Sequence, residues 1–151
     1  RTIGIWDLRK LNEAVNQYEY RNAVTAVNFH PRLRDCLVST CYDDHVRIHS
    51  SVDLDTTGIK VSAIPHNNQT GRWITLFKAI WDPKGTADAA MVVVGNMNRG
   101  VDLVDGREGR LLRTVQSEWV TAQPAVNAVH PGLDLIVSGN ASGKFCLWQA
   151  Q

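Results

Sequence analysis

Short apolar runs alternate with polar residues along this chain, and the clearest example lies near its end, at residues 136–148. A short apolar run beginning at Ile136 leads into a segment rich in Gly, Asn and Ser, which tolerate the backbone conformations of tight turns. After it, Phe145 and Leu147 point to one side of an extended chain, and Lys144 and Cys146 point to the other. The pattern predicts a β-hairpin.

The same hairpin recurs along the chain. Residues 38–49 and 93–104 align with 137–148 without a gap, and residues 3–7 match the last strand of a further copy. Each complete copy follows a predicted strand that is closed by Pro31, Pro83 or Pro131, just past the strand, where a missing backbone N–H costs little. The chain is therefore predicted to be an array of structural repeats.

The repeat period indicates the architecture. The matching strand ends Trp6, His49, Val104 and Trp148 are 43, 55 and 44 residues apart, close to the period of roughly 40–45 residues of four-stranded propeller blades. The longest interval indicates an insertion of about ten residues. Since β-forming residues dominate and no apolar stripe of helical spacing appears, we predict an all-β fold, a WD40-type β-propeller.

The repeats divide the chain into four predicted units: residues 1–9 end a blade, 10–50 form a blade, 51–105 form a blade with an inserted loop, and 106–151 form the last blade. Because a propeller has four to eight blades, these three and a quarter blades are expected to be the carboxyl-terminal part of a longer propeller. The segment of Tyr18 and Tyr20 is expected to enter the innermost strand of the second unit. Trp119 is expected to pack between blades.

Composition narrows the class of protein. The formal net charge is +1 with acidic and basic residues mixed, which argues against a strongly basic nucleic-acid-binding tail but leaves room for a local basic patch. Three cysteines, an odd number, favour reduced thiols and an intracellular location. No apolar run approaches the eighteen residues of a membrane span, so no membrane partner is predicted.

Neither catalysis nor metal binding is predicted. The sequence contains no nucleophile elbow, no paired carboxylates at facing strand ends and no His–Cys pairing, so we predict a protein that is not an enzyme and has no cofactor. Cys36, Cys41, His45 and His49 have a spacing that superficially resembles a zinc site. On adjacent strands of one hairpin these side chains would point to both faces, so they are interpreted as ordinary strand and turn residues.

Residues 6–9 carry the first candidate binding motif. Trp6 and Asp7 end a strand and begin a turn, and Arg9 follows two residues later. The Trp-Asp-x-Arg pattern resembles the motif of WD-repeat proteins that dock onto the adaptor of cullin-4-type ubiquitin ligases. In that interpretation Arg9 is an exposed, permanently charged fork for a partner's carboxylate or carbonyl groups; in the alternative, the residues only close the strand.

Residues 66–73 form the second candidate, a polar loop that presents Arg72 and Trp73 together. An aromatic ring offers a stacking surface for a base and a guanidinium binds phosphate, a combination that suits nucleic acid or a protein hot spot. We predict DNA contacts at Gln69, Arg72, Trp73 and Lys78. The alternative is that Trp73 packs beneath the loop as an anchor of the propeller rim.

Together these motifs resemble the damaged-DNA-binding WD-repeat propellers, the group of the small subunit of the UV-damage-recognition complex and WD-repeat protein 76. The resemblance covers essentially the whole chain and rests on residues 6–9, 64–66, 70–73, 78–84 and 138–144. It implies a seven-bladed propeller that binds DNA on one face and a ligase adaptor on the other. In the UV-damage subunit an aromatic-Gln-His wedge enters the lesion, and the aligned positions here are Gly71, Arg72 and Trp73. Since Gly71 cannot act as a wedge, UV-lesion specificity is not expected to be inherited intact.

The sequence thus predicts a nuclear, non-catalytic protein of the DNA-damage response that binds DNA or chromatin and serves as substrate receptor for a cullin-4-type ubiquitin ligase. The alternative is a scaffold that binds only proteins, with Trp73 as an anchor and no direct DNA contact. The two differ in their expected response to salt, because binding to DNA phosphates weakens steeply as salt rises.

Overall fold

The computed structural model describes residues 1–51, 59–86 and 88–150, and every regular element in these ranges is a β-strand. The strands are β1 (Thr2–Ile5), β2 (Asn16–Glu19), β3 (Val24–Phe29), β4 (Leu37–Cys41), β5 (His45–Ser50), β6 (Lys60–Pro65), β7 (Ile80–Trp81), β8 (Met91–Gly95), β9 (Val101–Asp105), β10 (Arg110–Val115), β11 (Val126–Val129), β12 (Leu135–Gly139) and β13 (Phe145–Gln149). The polar segment predicted as a loop at residues 52–60 lies mostly outside the described ranges. The predicted all-β class is confirmed.

The strands form four antiparallel sheets that follow one another along the chain. The first contains β1-β2, the second β3-β4-β5-β6, the third β7-β8-β9-β10 and the fourth β11-β12-β13. Within each sheet, neighbours in space are neighbours in sequence, so each sheet is a meander. Sheets of this kind in series, with the repeat period given above, make a partial propeller.

Two segments pair differently from the prediction. β2, which contains Tyr18, pairs with β1 and does not enter the next sheet as its innermost strand. β10 pairs with β9 and completes the third sheet, as β6 completes the second, so residues 110–115 do not begin the last blade. Both strands follow the repeated hairpin as an outer fourth strand. Half of the residues of β2 and most of those of β10 are exposed, and none is fully buried, so these strands carry little of the burial pattern that marks the repeat.

Apolar clusters join each sheet to the next. The first and second sheets share Ile3, Tyr20 and Cys41, and the third and fourth share Val93, Val101 and Ile136. The largest cluster joins the second and third sheets and includes Val38, Val46, Ile64, Phe77, Trp81, Val92, Val94 and Val104. Strand β8 lies at a buried centre of the array, since Val92, Val93 and Val94 are fully buried.

Equivalent interior positions of the repeats are filled by different chemistry. In the second sheet these positions are Ser39 and His49, and the hydroxyl of Tyr20, which follows β2, lies 2.8 Å from Ser39 Oγ and 2.7 Å from His49 Nε2. In the fourth sheet Trp148 Nε1 donates to Ser138 Oγ over 2.9 Å. The third sheet has valines at these positions. The repeat therefore determines which positions are in contact, while the residue types at these positions differ from blade to blade.

Antiparallel order places the described connections at two ends of the sheets. One end, here called the inter-sheet face, carries the connections 66–79 and 116–125 between sheets and the hairpin turns 42–44, 96–100 and 140–144. The His66 N–H donates to the Asp44 carbonyl over 2.9 Å and Gln116 Nε2 donates to the Asn98 carbonyl over 3.1 Å, which brings turns and connections together. The other end, here called the opposite face, carries the connections 6–15, 30–36, 82–90 and 106–109.

The side of the fourth sheet that faces away from the third is apolar and uncovered. Phe145 is 78% exposed and Leu147 62% exposed, on the same side of β13. The hairpin prediction placed both side chains on one face. A large exposed apolar sheet face fits an array of blades that is part of a larger ring.

Candidate nucleic-acid and adaptor interfaces

The Gly71–Ile74 turn presents the candidate DNA-binding pair at the inter-sheet face. The turn is closed by the Ile74 N–H, which donates to the Gly71 carbonyl over 3.0 Å, and Ile74 packs against the largest apolar cluster. Trp73 at its tip is 87% exposed, and the Arg72 guanidinium carbon lies 5.7 Å from the centroid of its ring. The alternative that Trp73 packs beneath the loop is therefore wrong, because the neighbouring Ile74 is the anchor.

Asn68 fixes the start of this connection to the second sheet. Its side-chain amide donates to the carbonyls of Cys41 and His45 over 2.9 and 3.1 Å, and its backbone N–H donates to Asp44 Oδ1 over 2.9 Å. Asn68 is 2% exposed. A buried side chain with its donors satisfied by backbone carbonyls holds a connection rigidly, since releasing it leaves buried polar groups without partners.

Two further predicted DNA contacts differ in their surroundings. The Gln69 side chain donates to the Tyr42 carbonyl over 2.7 Å and to Asp44 Oδ1 over 3.2 Å, so its amide is used in fastening the connection to the β4–β5 turn. Lys78 is exposed between the buried residues Phe77 and Ala79. The structure brings Arg72, Trp73 and Lys78 to one face as exposed side chains and gives Gln69 an internal role.

His66 links the base of the connection to the third sheet. Because the Asn68 amide nitrogen is a donor to two carbonyls, its oxygen is the acceptor that lies 2.7 Å from His66 Nδ1. His66 Nε2 lies 3.5 Å from Asp102 Oδ2, and Asp102 Oδ1 accepts hydrogen bonds from Asn96 and Thr114. The sequence gives no sign of this contact, because a buried polar contact between distant segments leaves no periodic signal.

The exposure of Trp119 differs from the prediction. The sequence placed it between blades, but it is 79% exposed on the 116–125 connection of the inter-sheet face. The neighbouring Val120, which is 4% exposed, is the residue that packs inward. The inter-sheet face therefore displays two exposed tryptophan side chains. Trp73 lies on the connection between the second and third sheets, and Trp119 lies on the connection between the third and fourth sheets.

The candidate adaptor motif lies at the opposite face. Arg9 folds back onto Asp7, with Nε 2.9 Å from Oδ1 and a terminal nitrogen 2.7 Å from Oδ2, and the Arg9 backbone N–H donates to the same carboxylate. These hydrogen bonds lower the pKa of Asp7 to about 2. The Arg9 side chain is nevertheless 81% exposed, so the paired guanidinium is fixed in orientation and still faces solvent.

The described residues contain no group of three or more His, Cys, Asp or Glu side chains arranged to hold a metal ion. Cys36, Cys41 and Cys146 are free thiols, and burial raises the pKa of Cys36 to about 11. In the same ranges no helix is long and apolar enough to cross a membrane.

The chain is similar to three curated proteins over nearly its whole length. It is 35% identical to the DNA damage-binding protein CMR1 of Phaeosphaeria nodorum over 98% of this chain and 31% of that protein. It is 34% identical to WD repeat-containing protein 76 of Xenopus laevis, over 94% and 25% of the two chains. It is 29% identical to Protein DAMAGED DNA-BINDING 2 of Arabidopsis thaliana, over 97% and 28%. The chain thus spans about a third or less of the length of these relatives.

Comparison with solved structures identifies the same architecture. The crystal structure of the computationally designed Ika4 protein superposes with a TM-score of 0.68, covering 99% of this chain and 80% of that one. At 20% sequence identity this similarity concerns the fold alone. No model of a protein family matches the chain.

Proposed function

Because this chain belongs to the WD-repeat family of DNA damage-binding proteins, we propose that it binds DNA or chromatin without catalysing a reaction, through the inter-sheet face. The observation that carries the proposal is the Gly71–Ile74 turn, where Trp73 is 87% exposed and Arg72 lies over its ring. A soluble domain seldom leaves a side chain of this size in solvent beside a cation unless a partner covers it.

The chemistry of this turn fits a nucleic acid. The indole offers a stacking face to a base and the guanidinium a fork to a phosphate. Among the described residues no carboxylate lies within ion-pair distance of Arg72 or Lys78, so both charges are available to a polyanion. Gly71 occupies the first position of the lesion-reading wedge and has no side chain, so we expect DNA binding with little preference for UV lesions.

The test is to measure binding of the full-length protein to undamaged and UV-irradiated duplexes by fluorescence anisotropy at two salt concentrations. Arg72→Ala/Trp73→Ala should weaken binding to the duplexes about tenfold, since it removes one phosphate contact and the aromatic surface beside it. The wild-type affinity should fall steeply as salt rises. Arg34→Ala/Leu8→Ala is the matched control, because both residues are exposed on the opposite face.

The alternative, a scaffold that binds only proteins, makes different predictions. It requires no binding to either duplex at low salt and no effect of the Arg72 and Trp73 substitutions. That result would withdraw the DNA-contact proposal and leave Trp73 as a protein anchor. An affinity that falls equally in the control double variant would show that general destabilisation, and not contact, causes the loss.

A second proposal concerns the opposite face. The oriented, exposed Arg9 supports docking onto a cullin-4-type ubiquitin-ligase adaptor, which would make the protein a nuclear substrate receptor in the DNA-damage response. DNA and adaptor would then occupy different faces and bind at the same time. We expect Arg9→Ala to weaken binding to purified adaptor about tenfold and to leave DNA affinity unchanged, since a charge-assisted fork at an interface contributes on this scale. Adaptor binding that survives Arg9→Ala would rule out this motif as the docking site.

A further inference from the structure

The two connections between sheets on the inter-sheet face contain the same turn. In Gly71–Ile74 the fourth N–H donates to the first carbonyl over 3.0 Å, and in Ser117–Val120 the corresponding bond is also 3.0 Å. In both, the third residue is an exposed tryptophan and the fourth is an apolar side chain directed inward. Trp73 and Trp119 each lie seven residues before the first strand of the next sheet. The turn is therefore a repeated device that displays tryptophan on successive blades.

A cation lies at each turn but comes from a different segment. In the first turn it is Arg72, the neighbour of Trp73. In the second turn the corresponding position is Glu118, and the cation is Arg99, from the β8–β9 hairpin turn, to which Gln116 is hydrogen-bonded through the Asn98 carbonyl. Arg99 and Glu118 together with Asn98, Gln116, Ser117 and Val120 line an open groove of about 350 Å³.

Arg99 occupies a backbone position that does not suit it. Its φ is 62°, and the equivalent position in the other hairpins is Asp44 at 60° and Gly143 at 75°. Glycine, asparagine and aspartate adopt this left-handed conformation at lower cost than arginine. The side chain is exposed and has no carboxylate within ion-pair distance among the described residues. The residue thus gives the turn nothing that glycine would not give, but it adds an unpaired charge beside the groove.

We propose that Arg99 and Trp119 form a second nucleic-acid contact, one blade on from Arg72 and Trp73, and that the preferred ligand is DNA with consecutive unpaired nucleotides. An indole in solvent stacks only on a base whose face is free, and in an intact duplex both faces of each base are covered by neighbours. Two equivalent tryptophans on successive blades would stack two bases of one strand, while Arg72 and Arg99 bind its phosphates. This inference rests on the proposed DNA-binding function and specifies the DNA structure.

The test compares a duplex that carries a single-stranded gap with an intact duplex of the same sequence and length, using the full-length protein. We expect the gapped duplex to bind at least tenfold more tightly. Trp119→Ala should reduce its affinity about tenfold, Trp119→Phe by less, and the intact duplex should be nearly unaffected, because only a free base face is lost. Arg99→Asn suits the turn conformation, so a weaker affinity and a salt slope lower by about 1 would report a lost phosphate contact and not a damaged fold.

A gain of function provides an independent arm. Glu118→Arg copies the Arg72–Trp73 arrangement into the second turn and should strengthen binding to the gapped duplex several-fold, whereas Arg34→Asn, on the opposite face, should change nothing. If the gap preference survives Trp119→Ala while Arg72→Ala/Trp73→Ala abolishes binding, the second contact is refuted and the proposed function stands. If neither DNA binds at low salt, both fail. If Glu118→Arg weakens DNA binding and abolishes binding of a lysine-rich peptide, the groove is a protein site and the proposal is overturned.

Discussion

The two faces of the array differ in what surrounds their exposed lysine and arginine side chains. On the opposite face, Arg9, Lys84, Arg107 and Arg110 each have an Asp carboxylate within 4.0 Å, and Lys84 also donates to the carbonyls of His130 and Leu133. Three further cations of this face are exposed and have no such partner among the described residues: Lys10, Arg32 and Arg34. On the inter-sheet face, Arg72, Lys78, Arg99 and Lys144 are exposed and have no such partner among the described residues. The same face carries the two most exposed tryptophans.

The cations paired with Asp serve the framework, whereas the unpaired cations that share a surface with two exposed tryptophans suit a partner. An ion pair between a cation and a neighbouring Asp orients a turn and presents little net charge to a distant polyanion, and on the surface it stabilises the fold by about 1 kcal/mol at most. Unpaired cations on one surface add to a positive potential that attracts a polyanion and raises the association rate. A net charge of +1 for the whole chain conceals this arrangement, so charge must be assessed by face.

Reversing the unpaired charges should have the largest effect. We expect Arg72→Glu/Lys78→Glu/Lys144→Glu to weaken DNA binding about a thousandfold at low salt and to lower the salt slope by about 3, since each lost phosphate contact contributes roughly one unit. The measurement is a salt titration of affinity for one duplex.

A matched triple variant tests whether position or net charge matters. Lys10, Arg32 and Arg34 are exposed on the opposite face, and Lys10→Glu/Arg32→Glu/Arg34→Glu changes the net charge by the same amount. It should weaken binding far less. Equal losses in the two triple variants would show that only the net charge of the protein counts, and the comparison between the faces would fail.

A fall in pH should lower the stability of the fold and leave the DNA affinity of the folded protein nearly unchanged. Burial, with a smaller contribution from Arg47, lowers the pKa of His49 to about 4, and burial also lowers the pKa of His30. Such groups bind protons more readily in the unfolded chain, so their stabilisation is complete above about pH 6.5 and is lost as the pH falls towards 4. For His49 this amounts to about 3 kcal/mol. Arginine and lysine stay charged in this range, so the DNA affinity of the folded protein should change little.

Urea unfolding at pH 7.5, 6 and 5 checks the sign, with DNA affinity measured on the same samples at low urea. His49→Gln removes the titrating group and should flatten the pH dependence of the unfolding free energy, leaving a smaller slope from His30. A DNA affinity that falls with pH in parallel with stability, even where the protein remains folded, would mean that the framework and the binding face are coupled.

The sequence predicted the framework better than the surface. The hairpin repeat predicted the all-β class and an array of antiparallel strands, because alternation and period depend on burial and recur along the chain. It assigned the outer strands β2 and β10 to the wrong neighbours, since their half-exposed or exposed side chains do not show which sheet they join. It also misjudged Trp119, since residue type alone does not reveal which of two adjacent large apolar residues packs inward. The Asn68 contacts join segments more than twenty residues apart and have no local signature.

Removing the Asn68 hydrogen bonds that hold the 66–79 connection should have an intermediate effect. Asn68→Ala leaves the carbonyls of Cys41 and His45 without their side-chain donor, so we expect a loss of about 2 kcal/mol in the free energy of unfolding. DNA affinity should fall several-fold, because Arg72 and Trp73 would be less firmly positioned. Thr75→Ala is the control, since the Thr75 side chain is exposed in the same connection and makes no hydrogen bond to the described residues, so its loss should cost less than about 0.5 kcal/mol. A DNA affinity unchanged by Asn68→Ala would show that the turn positions itself.

The smallest effect is expected from substitutions in the hairpin turns, where the proposed DNA-binding residue Arg99 has a backbone conformation that is unfavourable for arginine. Arg99→Gly places in the third sheet the residue that the fourth sheet has at Gly143, and it should raise the unfolding free energy by up to about 1 kcal/mol while it weakens DNA binding. Gly143→Ala should destabilise by a similar amount, because an L side chain is strained at a φ of 75°. Urea unfolding of both variants measures the pair. If Arg99→Gly destabilises the protein, the arginine contributes to the fold itself, and the division between framework charges and partner charges does not hold at this turn.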